Sequence, residues 1–329
     1  MTSRLSAERR RAMLRTAMGP IIADALADRE IIEIMVNPDG ALWLDRLGVG
    51  RVTTGVRLDA DQVERIIRLV ASHGRAEVHD GAPIVSTELP PHEAGAGERF
   101  EGLLPPVTLG PCFVIRKPAS RLHRLIDYVR DGVMDADAAR LLSIAVIERL
   151  NILVAGGTSS GKTTLANALL AEMAHLNERL ILIEDTRELQ SPAADTVALR
   201  TRAGTVNMAD LVRSTLRLRP DRIIVGEVRG SEALDMLKAW NTGHPGGVAT
   251  VHANSAVSAL SRIEQLVQEA VVTVPRRLVA DAIDMVVFIS GRGVRRRVRS
   301  ILRVNGLSPD GGYDLAELLP DPSNQGDAS

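Results

Sequence analysis

Residues 151–170 read NILVAGGTSSGKTTLANALL. A short apolar run stops at two glycines, and Lys162-Thr163-Thr164 opens a stretch of helix formers. Gly156, four residues, then Gly161, Lys162 and Thr163 is the spacing of a phosphate-binding loop set between a strand and a helix. Each residue type has a reason. Gly156, Gly157 and Gly161 let the backbone wrap, so that N–H groups along Thr158, Ser159 and Ser160 point inward at phosphate oxygens. The helix that begins near Lys162 adds the positive end of its dipole. Lys162 is expected to reach the β- and γ-phosphates, Thr163 to offer its hydroxyl to Mg2+, and Thr164 to complete the phosphate-binding set. ATP and Mg2+ are thus the expected cofactors.

Outward from the loop, two further apolar runs end in acids. RPDRIIVGEVRG (219–230) places Glu227 just past a buried strand. In a doubly wound sheet, ligands bind beyond the carboxyl ends of strands, where a carboxylate can orient and polarise water. The competing reading is an ion pair of Glu227 with Arg229 or Arg222. LILIEDTREL (180–189) ends in Glu184 and Asp185, with Glu188 a helical turn beyond Glu184. Glu184 and Glu188 are expected to join Thr163 in holding a hydrated Mg2+, partly through water; the alternative is that these acids cap a turn. GHPGGVATVHANS (243–255) offers His244 and His252 around a strand. No third ligand stands at metal spacing, so a hydrogen bond from a histidine to the γ-phosphate or to Glu227 is expected rather than zinc.

The strand candidates NILVAG, RLILIED, TVALRT, DRIIVGEV and GGVATVHA alternate with helical stretches, which predicts a parallel sheet covered by helices. The tail DMVVFISGRGVRRRVRSILRVNG reads as antiparallel strands around a Gly-Arg-Gly turn. Before the loop, IIEIMVNPDGALWLDRLG reads as a hairpin. LDADQVERIIRLVASHG reads as a helix capped by Asp59, with Gln62 as reciprocal partner and Gly74 at its end. HEAGAGERF reads as a polar loop, and RFEGLLPPV and PCFVIRKP as strands. The expectation is a helical segment over 1–28 with a break at Gly19-Pro20, a smaller α+β domain over 29–118, a charged linker over 119–135, the phosphate-loop domain over 136–320 and a frayed tail over 321–329.

A net charge of -1 excludes a polyelectrolyte binder of nucleic acid, and 2% aromatic residues leave too few rings for base-stacking platforms. One cysteine, Cys112, makes neither an intrachain disulfide nor a four-cysteine zinc site. No run approaches the ~20 apolar residues of a membrane span. Arg9, Arg10, Arg11 and Arg15 beside Met13, Leu14 and Met18 suggest either a solvated first helix or a basic face for a membrane surface.

Four stretches in this order and approximate spacing resemble the secretion-type traffic ATPases of type IV secretion, conjugation, type II secretion and pilus machines. GGTSSGKTT resembles their Walker A motif, LILIEDTREL their Asp box, RPDRIIVGEVRG their Walker B motif and GHPGGVATVHANS their His box. EIMVNPDGALWLDR and RFEGLLPPVTLGPCFVIRKP are similar to the amino-terminal domain of the conjugal-transfer branch. The resemblance implies a RecA-like P-loop NTPase domain preceded by a smaller α+β, PAS-like domain. It implies ATP between the domains of each subunit of a hexameric ring, with Arg99 and Arg116 reaching the nucleotide. Glu227 would be the catalytic glutamate, and His252 would couple the γ-phosphate to motion. Arg217 and Arg219 are candidate fingers between subunits. The expected partners are further copies of the chain and inner-membrane secretion or conjugation channel proteins. The expected location is cytoplasmic or peripheral at the inner membrane, and direct DNA binding is not indicated.

A single cysteine does not fit the zinc-bearing type II branch, and no AIRNLIRE-like motif of the retraction motors is present. The alternatives are a tight-adherence pilus ATPase, a DNA-translocating RecA-like motor using GRGVRRRVR as an exposed hairpin, and a nucleotide-gated scaffold. DNA-stimulated, salt-sensitive turnover would mark the DNA motor. Binding without hydrolysis would mark the scaffold.

Overall fold

The computed structural model describes residues 2–90, 97–118, 122–202 and 204–319. The chain forms two compact units, Met1–Ser120 and Arg121–Ser329.

The first unit opens with helix α1 (Thr2–Ala27), interrupted at Gly19, whose backbone leaves the helical region ahead of Pro20. Strands β1 (Ile31–Val36), β2 (Ala41–Arg46) and β3 (Gly50–Arg57) follow. Helix α2 (Ala60–Gly74), β4 (Ile84–Glu88), β5 (Arg99–Leu103) and β6 (Cys112–Arg116) complete the unit. The strands pair in the order β3-β2-β1-β6-β5-β4. Asp59 caps α2 by accepting from the Gln62 N–H at 2.7 Å. Val63, Ile66, Ile67 and Val70 are fully buried, each worth about 1.5–3 kcal/mol relative to exposure. Two expectations for this helix change. Gln62 does not reciprocate the cap; its side chain donates to the Ala17 carbonyl of α1 at 3.0 Å. Gly74 is the last helical residue rather than the stop, and Arg75 takes the left-handed position at φ 56°. A glycine is needed at 74 because a Cβ there would stand 2.3 Å from Thr87 Oγ1. Leu14 and Met18 are buried in this unit's core while Met13 is exposed, so the first two are not available to a membrane surface. The loop 91–96 lies outside the described residues.

The second unit comprises α3 (Leu125–Arg130), α4 (Ala136–Ile147), β7 (Ile152–Gly156), α5 (Lys162–Met173), β8 (Leu180–Glu184), β9 (Thr196–Arg200), α6 (Met208–Thr215) and β10 (Arg222–Val225). It continues with α7 (Glu232–Asn241), β11 (Val248–His252), α8 (Ala256–Gln268), α9 (Arg276–Ala282), β12 (Met285–Ser290), β13 (Arg297–Leu307) and β14 (Tyr313–Leu319). The sheet order is β14-β13-β12-β7-β11-β10-β8-β9. Strands from β12 to β9 run parallel, and β13 and β14 are antiparallel additions. The apolar runs are buried on both faces, and alternation divides them. Leu153, Ala155, Ile181 and Val225 face the core under α6 to α9, while Ile152, Val154, Leu182 and Ile224 face the core under α3 to α5.

The expected linker is partly structured. Leu125 and Tyr128 of α3 are buried in the second unit's core, because this weakly periodic stretch has just enough apolar residues to make one short helix. The expected tail, 321–329, lies outside the described residues. Among the described residues no helix is long and apolar enough to cross a membrane.

Candidate active site

β7 delivers the chain into the loop, and the loop's shape depends on its glycines. A Cβ on Gly156 would stand 2.3 Å from the Ile289 carbonyl oxygen and 2.6 Å from Ser160 Oγ. Gly161 sits at φ 98° immediately before α5, a conformation that costs a residue with a Cβ far more. Ser160 Oγ is buried and finds no hydrogen-bond partner among the described residues, as expected of a polar lining shaped for a ligand. Lys162 is buried. Its Nζ donates to the Gly157 carbonyl at 3.1 Å and lies 3.2 Å from His252 Nε2.

The parallel register brings the other motifs to the same edge. His252, the last residue of β11, pairs with Gly156. Glu227 follows β10 after Gly226, and its Oε1 lies 2.7 Å from His252 Nε2. Its other oxygen pairs with Arg229, which also lies 3.8 Å from Asp185. Asp185 in turn accepts from the Thr201 hydroxyl at 2.9 Å. The ion pair entertained for Glu227 therefore exists alongside its contact with His252; Arg222 is engaged elsewhere, with Glu178. Burial and the Lys162 charge lower the His252 pKa against the opposing pull of Glu227. A single Nε2 cannot serve both neighbours: protonated it donates to Glu227, bare it accepts from Lys162.

Thr163 Oγ1 donates to Glu188 Oε2 at 3.2 Å. Asn167, one turn along α5, holds this segment by donating to the Glu188 carbonyl and accepting from Gln190 N–H. Glu188 is not on a helix. The chain turns after β8 because Glu184 Oε1 accepts from the N–H groups of Glu188 and Leu189, at 2.8 and 2.7 Å. Gly226 leaves room for that carboxyl, since a Cβ there would lie 3.0 Å from Glu184 Cγ. Thr163 and Glu188 are hard oxygen donors of the kind Mg2+ takes, whereas Glu184 has one oxygen committed to the turn.

Burial pushes the Glu184 pKa up to about 7, only partly offset by the two backbone donors. The folded state thus binds a proton that an unfolded carboxylate releases near pH 4.5. Stability from this group is complete below that pH and is lost as pH rises through about 7. Glu184→Gln keeps the acceptor oxygen and removes the ionisation. In Mg2+-free buffer its Tm should match the parent near pH 5 and exceed it near pH 8, by about 2–4 °C for each kcal/mol. Coincident Tm–pH curves would show that burial does not hold the proton.

His244 is not part of the site. Its Nδ1 lies 3.1 Å from the Pro220 carbonyl, on the connections that enter β10 and β11. Arg217 and Arg219 are exposed on the segment leading into β10, at the opposite end of the sheet from the phosphate loop. In the first unit, Arg99 and Arg116 stand directly opposite each other across β5 and β6. Glu88 pairs with Arg99, and Glu33 with Arg116, making a row of acid, base, base, acid. The Arg116 Nε lies 3.7 Å from Glu33 Oε1. Like charges directly opposed are unfavourable in a sheet, so the central pair suits an anion. Asn167 was not among the expected site residues, since it stands at no motif position; Arg229 was expected only as the alternative ion-pair partner of Glu227, and it is one.

A RecA-like sheet whose carboxyl edge gathers the glycine-rich loop, Lys162, Glu227 and His252 is the architecture of a P-loop ATPase. The family model described as Type II/IV secretion system protein matches residues 96–298. The chain belongs to that family. It is 49% identical to the conjugal transfer protein TrbB of Rhizobium radiobacter over 295 residues, 89% of this chain and 90% of that one. It is 36% identical to the type IV secretion system protein PtlH of Bordetella pertussis, covering 86% of this chain and 93% of that one. Among solved structures, the pilus retraction motor PilT with bound ADP matches with a TM-score of 0.60 at 20% identity, over 93% of this chain and 83% of that one, a likeness of fold.

Proposed function

We propose that this ATPase is the motor of a conjugal-transfer, type IV secretion machine, working as a homo-oligomeric ring, hexameric by resemblance. The observation that carries the reading is the line of Glu227, His252 and Lys162, with His252 Nε2 at 2.7 Å from one and 3.2 Å from the other. A scaffold that merely binds nucleotide has no use for a carboxylate there. The names of the relatives TrbB and PtlH support the conjugal and type IV assignment.

The Thr163 hydroxyl and the Glu188 carboxylate would hold Mg2+ beside the bound ATP, with Glu184 positioning Glu188. Mg2+ would supply neutralisation of phosphate charge. Lys162 leaves His252 for the phosphates, and His252 then donates to Glu227, which orients the attacking water. By the family resemblance Arg99 and Arg116 are the anion-sensing pair, and Arg217 or Arg219 meets the neighbouring subunit's nucleotide. The ring stands in the cytoplasm, peripheral to the inner membrane, against the channel proteins of the machine.

The test is Mg2+-dependent ATP turnover by the purified chain, with mass by light scattering in the same nucleotide. Turnover with a mass of six subunits is expected, and Arg116→Ala should bind ATP and ADP equally where the parent does not. ATP binding without turnover, even in an assembled ring, would replace the motor by a scaffold.

A further inference from the structure

The basic run GRGVRRRVR, residues 291–299, does not stand out as a free hairpin. It turns back over the phosphate loop. Gly291 adopts φ 84° where a Cβ would strike the Arg295 carbonyl oxygen at 2.2 Å. The following turn brings the side chain of Arg296 onto Gly161: its Nε lies 2.8 Å from where a Cβ of Gly161 would stand. That Nε is buried and has no hydrogen-bond partner among the described residues. Arg292 reaches the Thr158 carbonyl at 3.5 Å. Arg297 and Arg299 bond to carbonyl and hydroxyl oxygens of their own segment. Among the described residues, none of Arg292, Arg295, Arg296, Arg297 and Arg299 makes an ion pair with a carboxylate. A partly buried guanidinium with an orphaned N–H, amid unneutralised charge, is unfavourable unless an anion or a polarisable ring completes it.

The sheet order says which part of the nucleotide that is. Glu227 and His252 follow β10 and β11, on one side of β7; β12 lies on the other side. The water-orienting carboxylate belongs at the γ-phosphate, so the γ end lies toward β10 and β11. The remainder of the nucleotide then extends toward the β12–β13 connection. We propose that this connection is the wall for the AMP portion of the nucleotide, with Arg296 contacting the α-phosphate or the nucleoside it carries and Arg292 flanking it. The inference rests on the nucleotide-binding reading of the loop.

The experiment is calorimetric binding of magnesium-ADP and of magnesium-pyrophosphate to the parent, Arg296→Ala, Arg296→Lys and Arg292→Ala, with thermal unfolding of each. Arg296→Ala is expected to weaken ADP about tenfold, the loss of one charge-assisted contact, leaving pyrophosphate within about twofold where Arg296 meets the nucleoside and weakening it alongside ADP where Arg296 meets the α-phosphate. Arg296→Lys should recover part of the ADP loss if the charge meets the α-phosphate and none if the planar guanidinium meets the nucleoside. Equal weakening of both ligands that Arg296→Lys does not recover, or a lowered Tm that accounts for the loss, would make Arg296 a support of the loop and overturn the proposal. Unchanged ADP binding would overturn it too. A parent that binds neither ligand would instead remove the nucleotide reading itself.

Discussion

Glu227→Gln will bind Mg-ATP within about threefold of the parent, while its turnover falls by at least about 10²-fold, the scale of a lost general base. The two effects separate because Glu227 does not line the phosphate loop. It stands on the far side of His252, 2.7 Å from Nε2, and its charge is already balanced by Arg229. The amide keeps the size of the carboxylate but cannot take a proton from water. Arg229 retains Asp185 nearby at 3.8 Å, so the substitution leaves no stranded cation. Stopped-flow binding of a fluorescent ATP and steady-state phosphate release check both halves. Turnover within about twofold of the parent would remove Glu227 from the chemistry.

How much of this could be read from residues alone depended on sequence separation. The phosphate loop was legible because its work is local: Gly156, Gly161, Lys162 and Thr163 act through spacing along one turn. The parallel strands were legible as apolar runs, since a strand buried on both faces must be apolar throughout. The edge strands β3 and β14 were not, because none of their residues is fully buried and neither is an unbroken apolar run. β12 read as part of an antiparallel tail, and it is antiparallel to β13. Its other pairing, parallel to β7, joins residues more than a hundred positions apart and leaves no local pattern. The same distance hid Arg296, which reads as surface charge until the sheet order sets it on Gly161. Glu188 lies within hydrogen-bond reach of Thr163, but it gets there by the turn-capping alternative rather than by a helical turn. Its i+4 spacing from Glu184 suggested a helix, whereas the spacing serves a turn closed by the Glu184 carboxylate. Gln62 misled in a similar way, since the Ala17 carbonyl of α1 offered a tertiary acceptor in place of the local cap.

Lys162→Ala will bind Mg-ATP and Mg-ADP about 10²-fold more weakly, because it removes a cation whose contacts with phosphate are each worth about 1.5–3 kcal/mol. The fold should persist, as the loop's path is set by Gly156 and Gly161 rather than by the ammonium. The substitution also yields a readout that needs no nucleotide. The His252 pKa is lowered by burial, then by Lys162, and raised by Glu227, with Arg229 and Arg262 adding further lowering. Removing the Lys162 charge must therefore raise the His252 pKa, and removing the Glu227 charge must lower it. Titration of the His252 ring proton by NMR in the parent, Lys162→Ala and Glu227→Gln should give shifts of opposite sign. Shifts of the same sign, or none, would mean that His252 does not stand between the phosphate-binding lysine and the water-orienting glutamate. The route by which γ-phosphate arrival reaches Glu227 would then have to run through the proposed Mg2+ ligands, Thr163 and Glu188, instead.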